Sequence, residues 1–378
     1  MDRRAFMRLT GMGLVAGWLE RVGFAAEERA MGEQARRIMI GVSAYPNADI
    51  ELMREAGIEW VRHGFSVPFS DRLNGEVSEA YREEKAEAER WVAAGMKLMG
   101  ITPGPGSQTF ERDAAGQLRP VWHNWMPDWC GPLGSEQNLR NFEAICAWMA
   151  RDLKGIVPAW QVCNELECPN FAGPLNLRQG CELILAGARG LKASDVSLFA
   201  GMNTGGDPEG YYLFGRLFAD PAAPLDYCGD DEYYGSWHPG GPEQMADRIP
   251  ELHAITGKPV VLNEFGFSSA GEPKRDASGR LPEGGGCETK SWWRTWGPGH
   301  TPEGQAEFVR VIFDAFRAQR DELAGVFFYR WEDQERCWSC GSPDCPIETR
   351  WGLVDLKGKP KPAYHAFKEG VRRLRATD

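Results

Sequence analysis

Ala159-Trp160-Gln161-Val162-Cys163-Asn164-Glu165 and Pro259-Val260-Val261-Leu262-Asn263-Glu264 end alike, each a short β-rich run closing on an Asn-Glu pair. The dipeptide alone carries little information; its placement carries more. A carboxylate closing an apolar strand is costly to desolvate and serves no purpose in a core, so each pair belongs at a strand's rim. Outward from these runs the same unit repeats. Strands are expected at 38–42, 59–64, 97–102, 159–163, 196–200, 226–229, 259–263 and 325–331. Helical patterns fall at 50–56, 77–94, 138–153, 177–191, 209–217, 244–256, from 301 onward, and at 362–374. Eight strand–helix pairs in about 340 residues match an α/β fold of the (β/α)8 TIM-barrel type, a single domain with long βα loops. A doubly wound open sheet shares the alternation but usually has fewer repeats, and no G-x-G-x-x-G follows the first strand. The long connections, 103–135, 265–300 and 332–361, each follow a strand's C-terminal end. In barrels that face builds the site.

The chain has 378 residues, 42% of them hydrophobic, which suits a sizeable core. Its formal charge of −11, from 54 acidic against 43 basic side chains, argues against nucleic acid and anionic membrane surfaces as partners. Fifteen tryptophans are many, and several sit in Gly/Pro-rich stretches where a core would not need them. Loop aromatics of this kind stack on apolar ring faces or pack the loops themselves. No G-x-x-x-x-G-K-[ST], His-Glu-x-x-His or Ser/His/Asp spacing appears, so neither a cofactor nor a catalytic metal is expected.

At the N-terminus Arg3-Arg4 precedes an apolar stretch from Leu9 to Leu19 and the small residues of Gly23-Phe24-Ala25-Ala26. This resembles a twin-arginine signal, which carries folded proteins across the bacterial inner membrane. Residues 1–26 are expected to be that signal peptide, 27–36 a linker and 37–378 the barrel domain, with a periplasmic or secreted, monomeric product that has no membrane span. An oxidising destination permits disulfides among the ten cysteines. Cys287, Cys337, Cys340 and Cys345 fit either disulfides stapling the long loops, the reading favoured by the export signal, or a zinc site.

From about residue 38 to 370 the chain resembles the clan-A glycoside hydrolases, and among them is most similar to the cellulase-like family five and to family thirty-nine. The resemblance rests on the two Asn-Glu strand ends, on Trp60-Val61-Arg62-His63, on Tyr233-Tyr234 and on Phe327-Phe328-Tyr329-Arg330-Trp331. It implies that Glu165 is the acid/base and Glu264 the nucleophile. It further implies that Asn164 binds a sugar hydroxyl, Arg62 holds the nucleophile, Tyr233 or Tyr234 touches it, and Trp331 floors the sugar site. Two features depart from the pattern. The third strand ends in Thr102-Pro103, and Asp230-Asp231-Glu232 makes the sixth strand unusually acidic.

Two carboxylates suit a double displacement, in which one attacks as an anion while the other donates a proton, at a separation of about 5–5.5 Å. At that distance two charges repel by roughly 3 kcal/mol for an effective dielectric near 20, enough to keep one protonated. Arg62 should keep Glu264 anionic, leaving Glu165 the proton. If Asn164 and Glu165 both reach the substrate, the fourth strand must bulge or stop there, because adjacent strand residues face opposite sides. His63 would reach the sugar or pack beneath it. Trp237, Trp122, Trp125, Trp129, Trp292, Trp293 and Trp296 are candidate stacking platforms. The expected function is retaining hydrolysis of β-glycosidic bonds in an oligo- or polysaccharide. The alternatives are a non-catalytic carbohydrate-binding barrel and a transglycosylase using the same glutamates.

Overall fold

Short strands with hydrophobic cores between amphipathic helices leave the chain one economical closure, and the computed structural model shows it. It describes residues 37–206, 208–281 and 284–376; the expected signal peptide and the linker that follows it lie outside the described residues. The strands are β1 (Met39–Ser43), β2 (Trp60–Gly64), β3 (Lys97–Ile101), β4 (Gly106–Arg112), β5 (Leu118–Asn124), β6 (Ala159–Gln161), β7 (Phe199–Thr204), β8 (Tyr227–Glu232), β9 (Val260–Phe265) and β10 (Leu323–Phe328). Eight of them close a parallel barrel in the order β1-β10-β9-β8-β7-β6-β3-β2, with helices around it. The TIM-barrel expectation is therefore met. No helix among the described residues is long and apolar enough to cross a membrane.

The helices begin where the sequence offers caps. The side chains of Ser78, Ser135, Asn176 and Thr301 each accept a backbone N–H three residues on, at Tyr81, Asn138, Gln179 and Gly304. These caps open α2 (Glu79–Ala93), α3 (Glu136–Asp152), α5 (Leu177–Ser194) and α8 (Pro302–Ala318). The others are α1 (Ile50–Glu55), α4 (Pro169–Ala172), α6 (Pro208–Leu217), α7 (Met245–Thr256), α9 (Pro346–Thr349) and α10 (Pro362–Arg375).

Inside the barrel, one end is plugged by apolar side chains: Met39, Met99, Ala159, Tyr227, Val261 and Phe327 form one buried cluster. Two residues further along their strands, the inward positions turn polar at Gln161 and Asn263, and with Arg62, Asn203 and Asp231 they are buried as well. The switch from grease to hydrogen bonds lies toward the C-terminal ends of the strands.

Several boundaries differ from expectation. The fifth strand begins at Phe199 rather than Val196, because Asp195 Oδ1 accepts the N–H and hydroxyl of Ser197 and makes a turn that leaves Val196 exposed. The sixth runs on through Asp230-Asp231-Glu232, all buried; partners supplied by other elements make those acids tolerable within a strand. The third loop, read as irregular, contains the antiparallel hairpin β4–β5. Asp113 Oδ1 holds its turn by accepting from the N–H groups of Ala115 and Gln117, and Phe110 N–H bonds Ser339 O at 2.7 Å.

Gly229 tests how tightly the interior is built. A Cβ there would lie 2.1 Å from Asn263 Oδ1 and 2.2 Å from Met202 O. Gly229→Ala should therefore destabilise the fold by about 1–3 kcal/mol, read as a lowered midpoint in urea unfolding; an unchanged midpoint would contradict the packing described.

Candidate active site

Strand β6 stops at Gln161, and Cys163 and Glu165 then adopt left-handed conformations with φ of 57° and 43°. That break frees Asn164 and Glu165 from strand alternation, as the sequence requires if both are to face one space. The opposite wall reaches the same result by a bulge. Between β8 and β9 the register slips from Asp230↔Leu262 to Asp231↔Glu264. Asn263 thus points down among Gln161, Tyr227 and Met99 while Glu264 is brought over the mouth beside Asp231.

Arg62, at the inward position of β2, joins these pieces. Its guanidinium donates to Gln161 Oε1 at 2.8 Å, to Asn164 Oδ1 at 2.6 Å and to Glu264 Oε1. Tyr233 OH donates to the other oxygen of Glu264. Below them Gln161 Nε2 donates to Asn164 Oδ1 at 3.1 Å and Asn203 Oδ1 at 2.9 Å. Asn203 passes the network on through Nδ2 to Asp231 Oδ2 at 2.6 Å, and its Oδ1 accepts the Glu165 N–H at 3.1 Å.

A carboxylate oxygen from each of Glu165, Asp231 and Glu264 lies within 4.8 Å of the other two. Burial first, and then the charge of Glu264, push Glu165 up to about 7. Burial, Glu264 and Glu165 together hold Asp231 well above the ordinary carboxylate range. Repulsion, the cause anticipated from sequence, is thus second to desolvation. Oxygens so grouped have the donor chemistry of a hard cation site, but the Arg62 guanidinium already supplies positive charge to the group. The arrangement suits proton exchange.

The glutamates sit on the floor of a cleft of about 1420 Å³, larger than the usual range for a small-ligand pocket. Trp125, Trp237, Trp293 and Trp338 line it, with Phe110 and Leu118 from the hairpin. Trp125 and Trp338 are 55% and 41% exposed. Tyr329, Trp351 and Glu348 close it near Glu264. Burial pushes Glu348 up to about 8, and Tyr329 OH donates to it at 3.4 Å.

Among the residues singled out from sequence, Arg62, Asn164, Glu165, Tyr233, Trp237 and Glu264 converge on this cleft. Three do not. His63 faces outward, as strand alternation from Arg62 demands: its Nε2 meets Glu84 O on α2 at 3.0 Å and its ring edges onto Phe65. Tyr234 lines a separate pocket with Arg248 and Glu232. Trp331 is 1% exposed and packs against Tyr364, away from the floor of the cleft that it was expected to form; Tyr329 and Trp351 line the cleft instead. Of the other tryptophans, Trp292 is buried, Trp129 packs on Phe69 and Trp296 on Phe308. Asp333 is tied to Lys361 at 3.0 Å.

The acids of the sixth strand divide by face. Asp230 pairs with Arg248 at 2.8 Å and Glu232 with His238 at 2.8 Å, outside the barrel, while Asp231 turns in. Gln161, Asn203, Glu348 and Trp338 were not anticipated. The first two could have been, since Gln161 lies two positions beyond the inward Ala159 and Asn203 four beyond the inward Phe199, on the same faces of their strands.

No protein-family model and no curated protein sequence matches the chain. Among solved structures it is similar to xylanase B from Clostridium stercorarium F9, at 17% identity and a TM-score of 0.59 over 88% of this chain and 96% of that one. A GH10 xylanase from Thermobacillus composti gives 19% and 0.57 over 89% and 97%. An exo-β-1,4-mannosidase from Opitutaceae bacterium strain TAV5 gives 17% and 0.58 over 90% of this chain, which spans 61% of the mannosidase's length. At these identities the likeness is one of fold, the same closed barrel with its helical coat.

The proton inventory can be checked directly. In Asp231→Asn the amide mimics a neutral acid, so by carbon-13 NMR the Glu165 carboxyl should still titrate near 7. A marked drop in that titration point would mean that Asp231 is ionised in the native protein and that its charge holds Glu165 up.

Proposed function

We propose that this chain is a retaining glycoside hydrolase acting on β-linked oligo- or polysaccharides, with Glu264 as nucleophile and Glu165 as acid/base. One observation carries the reading: two glutamates from the fourth and seventh barrel strands approach within 4.8 Å, one ion-paired to an arginine and the other held protonated to about 7. Inverting enzymes need about 6.5–9.5 Å to seat a water between their carboxyl groups; a gap this narrow favours direct attack by Glu264.

In the first step Glu264 forms a bond to the anomeric carbon as the bond to the leaving oxygen breaks, and Glu165 delivers its proton to that oxygen. The negative charge on Glu264 disappears in the ester, which removes one of the causes raising Glu165. Glu165, now a carboxylate, takes a proton from water as the water oxygen displaces Glu264. Arg62 and Tyr233 orient the nucleophile throughout. Asn164, fixed by Arg62, Gln161 and Asn203, is placed to meet a hydroxyl beside the reacting carbon.

The tryptophan-lined length of the cleft supports a substrate of several rings, since apolar sugar faces stack on aromatic side chains. The xylanases and the mannosidase named above are consistent in kind with such a substrate. Export through the Arg3-Arg4 segment would bring the enzyme to polysaccharide outside the cytoplasm.

Glu165→Ala should lose about 10²–10⁴-fold on substrates with poor leaving groups and much less on activated aryl β-glycosides. Azide should restore its turnover with a β-glycosyl azide, whereas Glu264→Ala with azide should give the α-azide. Proton NMR of the first-formed sugar from wild type should show the β anomer; an α product, or full activity in both variants, defeats the proposal.

The pH dependence has a defined sign. Glu165 must carry a proton to act first, so kcat/KM should fall as pH rises through about 7. This descending limb should vanish in Glu165→Gln assayed on activated substrates; its persistence would assign the limb to another group.

A further inference from the structure

We propose that Cys287, Cys337, Cys340 and Cys345 bind one structural zinc ion that clamps the loop after β9 to the loop after β10. The four sulfurs come from two segments separated by the whole of α8 and β10, yet all lie within 4.8 Å of one another. Cys287 Sγ stands 3.8 Å from Cys337 Sγ. Zinc–thiolate bonds of about 2.3 Å in a tetrahedron set ligand sulfurs about 3.8 Å apart, the spacing this pair already has. None of the four is bonded to another cysteine.

Two of the four sulfurs are presented by one tight turn. That turn is built by Cys337-x-x-Cys340-Gly341. Gly341 has φ 69° and donates its N–H to Cys337 O at 2.7 Å, and Ser342 O accepts from Cys337 N at 3.0 Å. A four-sulfur, closed donor set leaves no position for substrate and marks a structural role.

The clamp bears on the cleft. Cys337 and Cys345 pack in one cluster with Tyr233, Trp292, Ile347 and Trp351. Cys287, Trp338 and Ser339 themselves face the cleft, so the ion would hold Trp338 and the hairpin contact at Ser339 in place. Four thiolates also explain how cysteines could survive an oxidising destination: a chain exported folded would leave the reducing cytoplasm with its sulfurs already ligated.

The test uses the full chain and does not depend on the proposed glycosidase activity. The protein is purified without added metal or chelator, and its metal content is measured by plasma mass spectrometry. X-ray absorption at the zinc edge and intact mass under denaturing, non-reducing conditions complete the wild-type measurements. About one zinc per chain, sulfur neighbours near 2.3 Å and a mass with every cysteine reduced are expected. Cys340→Ser should lose most of the zinc; if that variant fails to fold, the wild-type measurements decide alone. A metal-free protein lighter by four hydrogens, meaning two disulfides, would overturn the site, as would metal-free thiols or iron in place of zinc.

Discussion

One guanidinium holds the mouth of this barrel together. Three acidic side chains crowd one space, and buried charge is tolerated only when paired and hydrogen-bonded. Arg62 meets that demand from β2, reaching Glu264 on β9, Asn164 after β6 and Gln161 within β6. Removing one member of such a buried pair typically costs about 3–5 kcal/mol, because the other charge is left without a partner. The position of Arg62 is in turn dictated by strand alternation, which sends its neighbour His63 to the helix layer.

Beneath that cation the barrel is graded. Apolar residues fill one end and an amide network fills the other, with Gln161, Asn203 and Asn263 exchanging hydrogen bonds in place of side-chain packing. Amides suit this level, since each offers both donor and acceptor and carries no net charge. They bind the two glutamate-bearing walls to one another, so the separation of the carboxylates is set by a rigid layer rather than by the loops. Chemistry that needs sub-ångström placement is best mounted on such a layer.

The loops supply what the barrel lacks. The β4–β5 hairpin, the aromatic segment after β9 and the cysteine-bearing segment after β10 lean on each other above the glutamates, through Phe110–Ser339 and the packing around Trp292. Clamping these segments at their bases would leave the exposed faces of Trp125 and Trp338 as surfaces for a long ligand.

The barrel and the two Asn-Glu strand ends were legible in the sequence, and the arginine within the second strand through the family resemblance. Period, strand length and the cost of burying a carboxylate are local properties that one segment reveals by itself. The resemblance left Tyr233 and Tyr234 as alternatives and put Trp331 in the site, yet Tyr234 and Trp331 turn away from the cleft, for whether an aromatic side chain at a strand end faces the cleft or the helices depends on bulges and breaks that one segment does not display. Sequence reasoning could not foresee that burial outweighs repulsion at Glu165 or that Asp231 turns in while Asp230 and Glu232 turn out, and it left open how the four cysteines it had grouped would meet. Those outcomes belong to the tertiary structure, because desolvation, register and the meeting of distant sulfurs exist only once the sheet has closed.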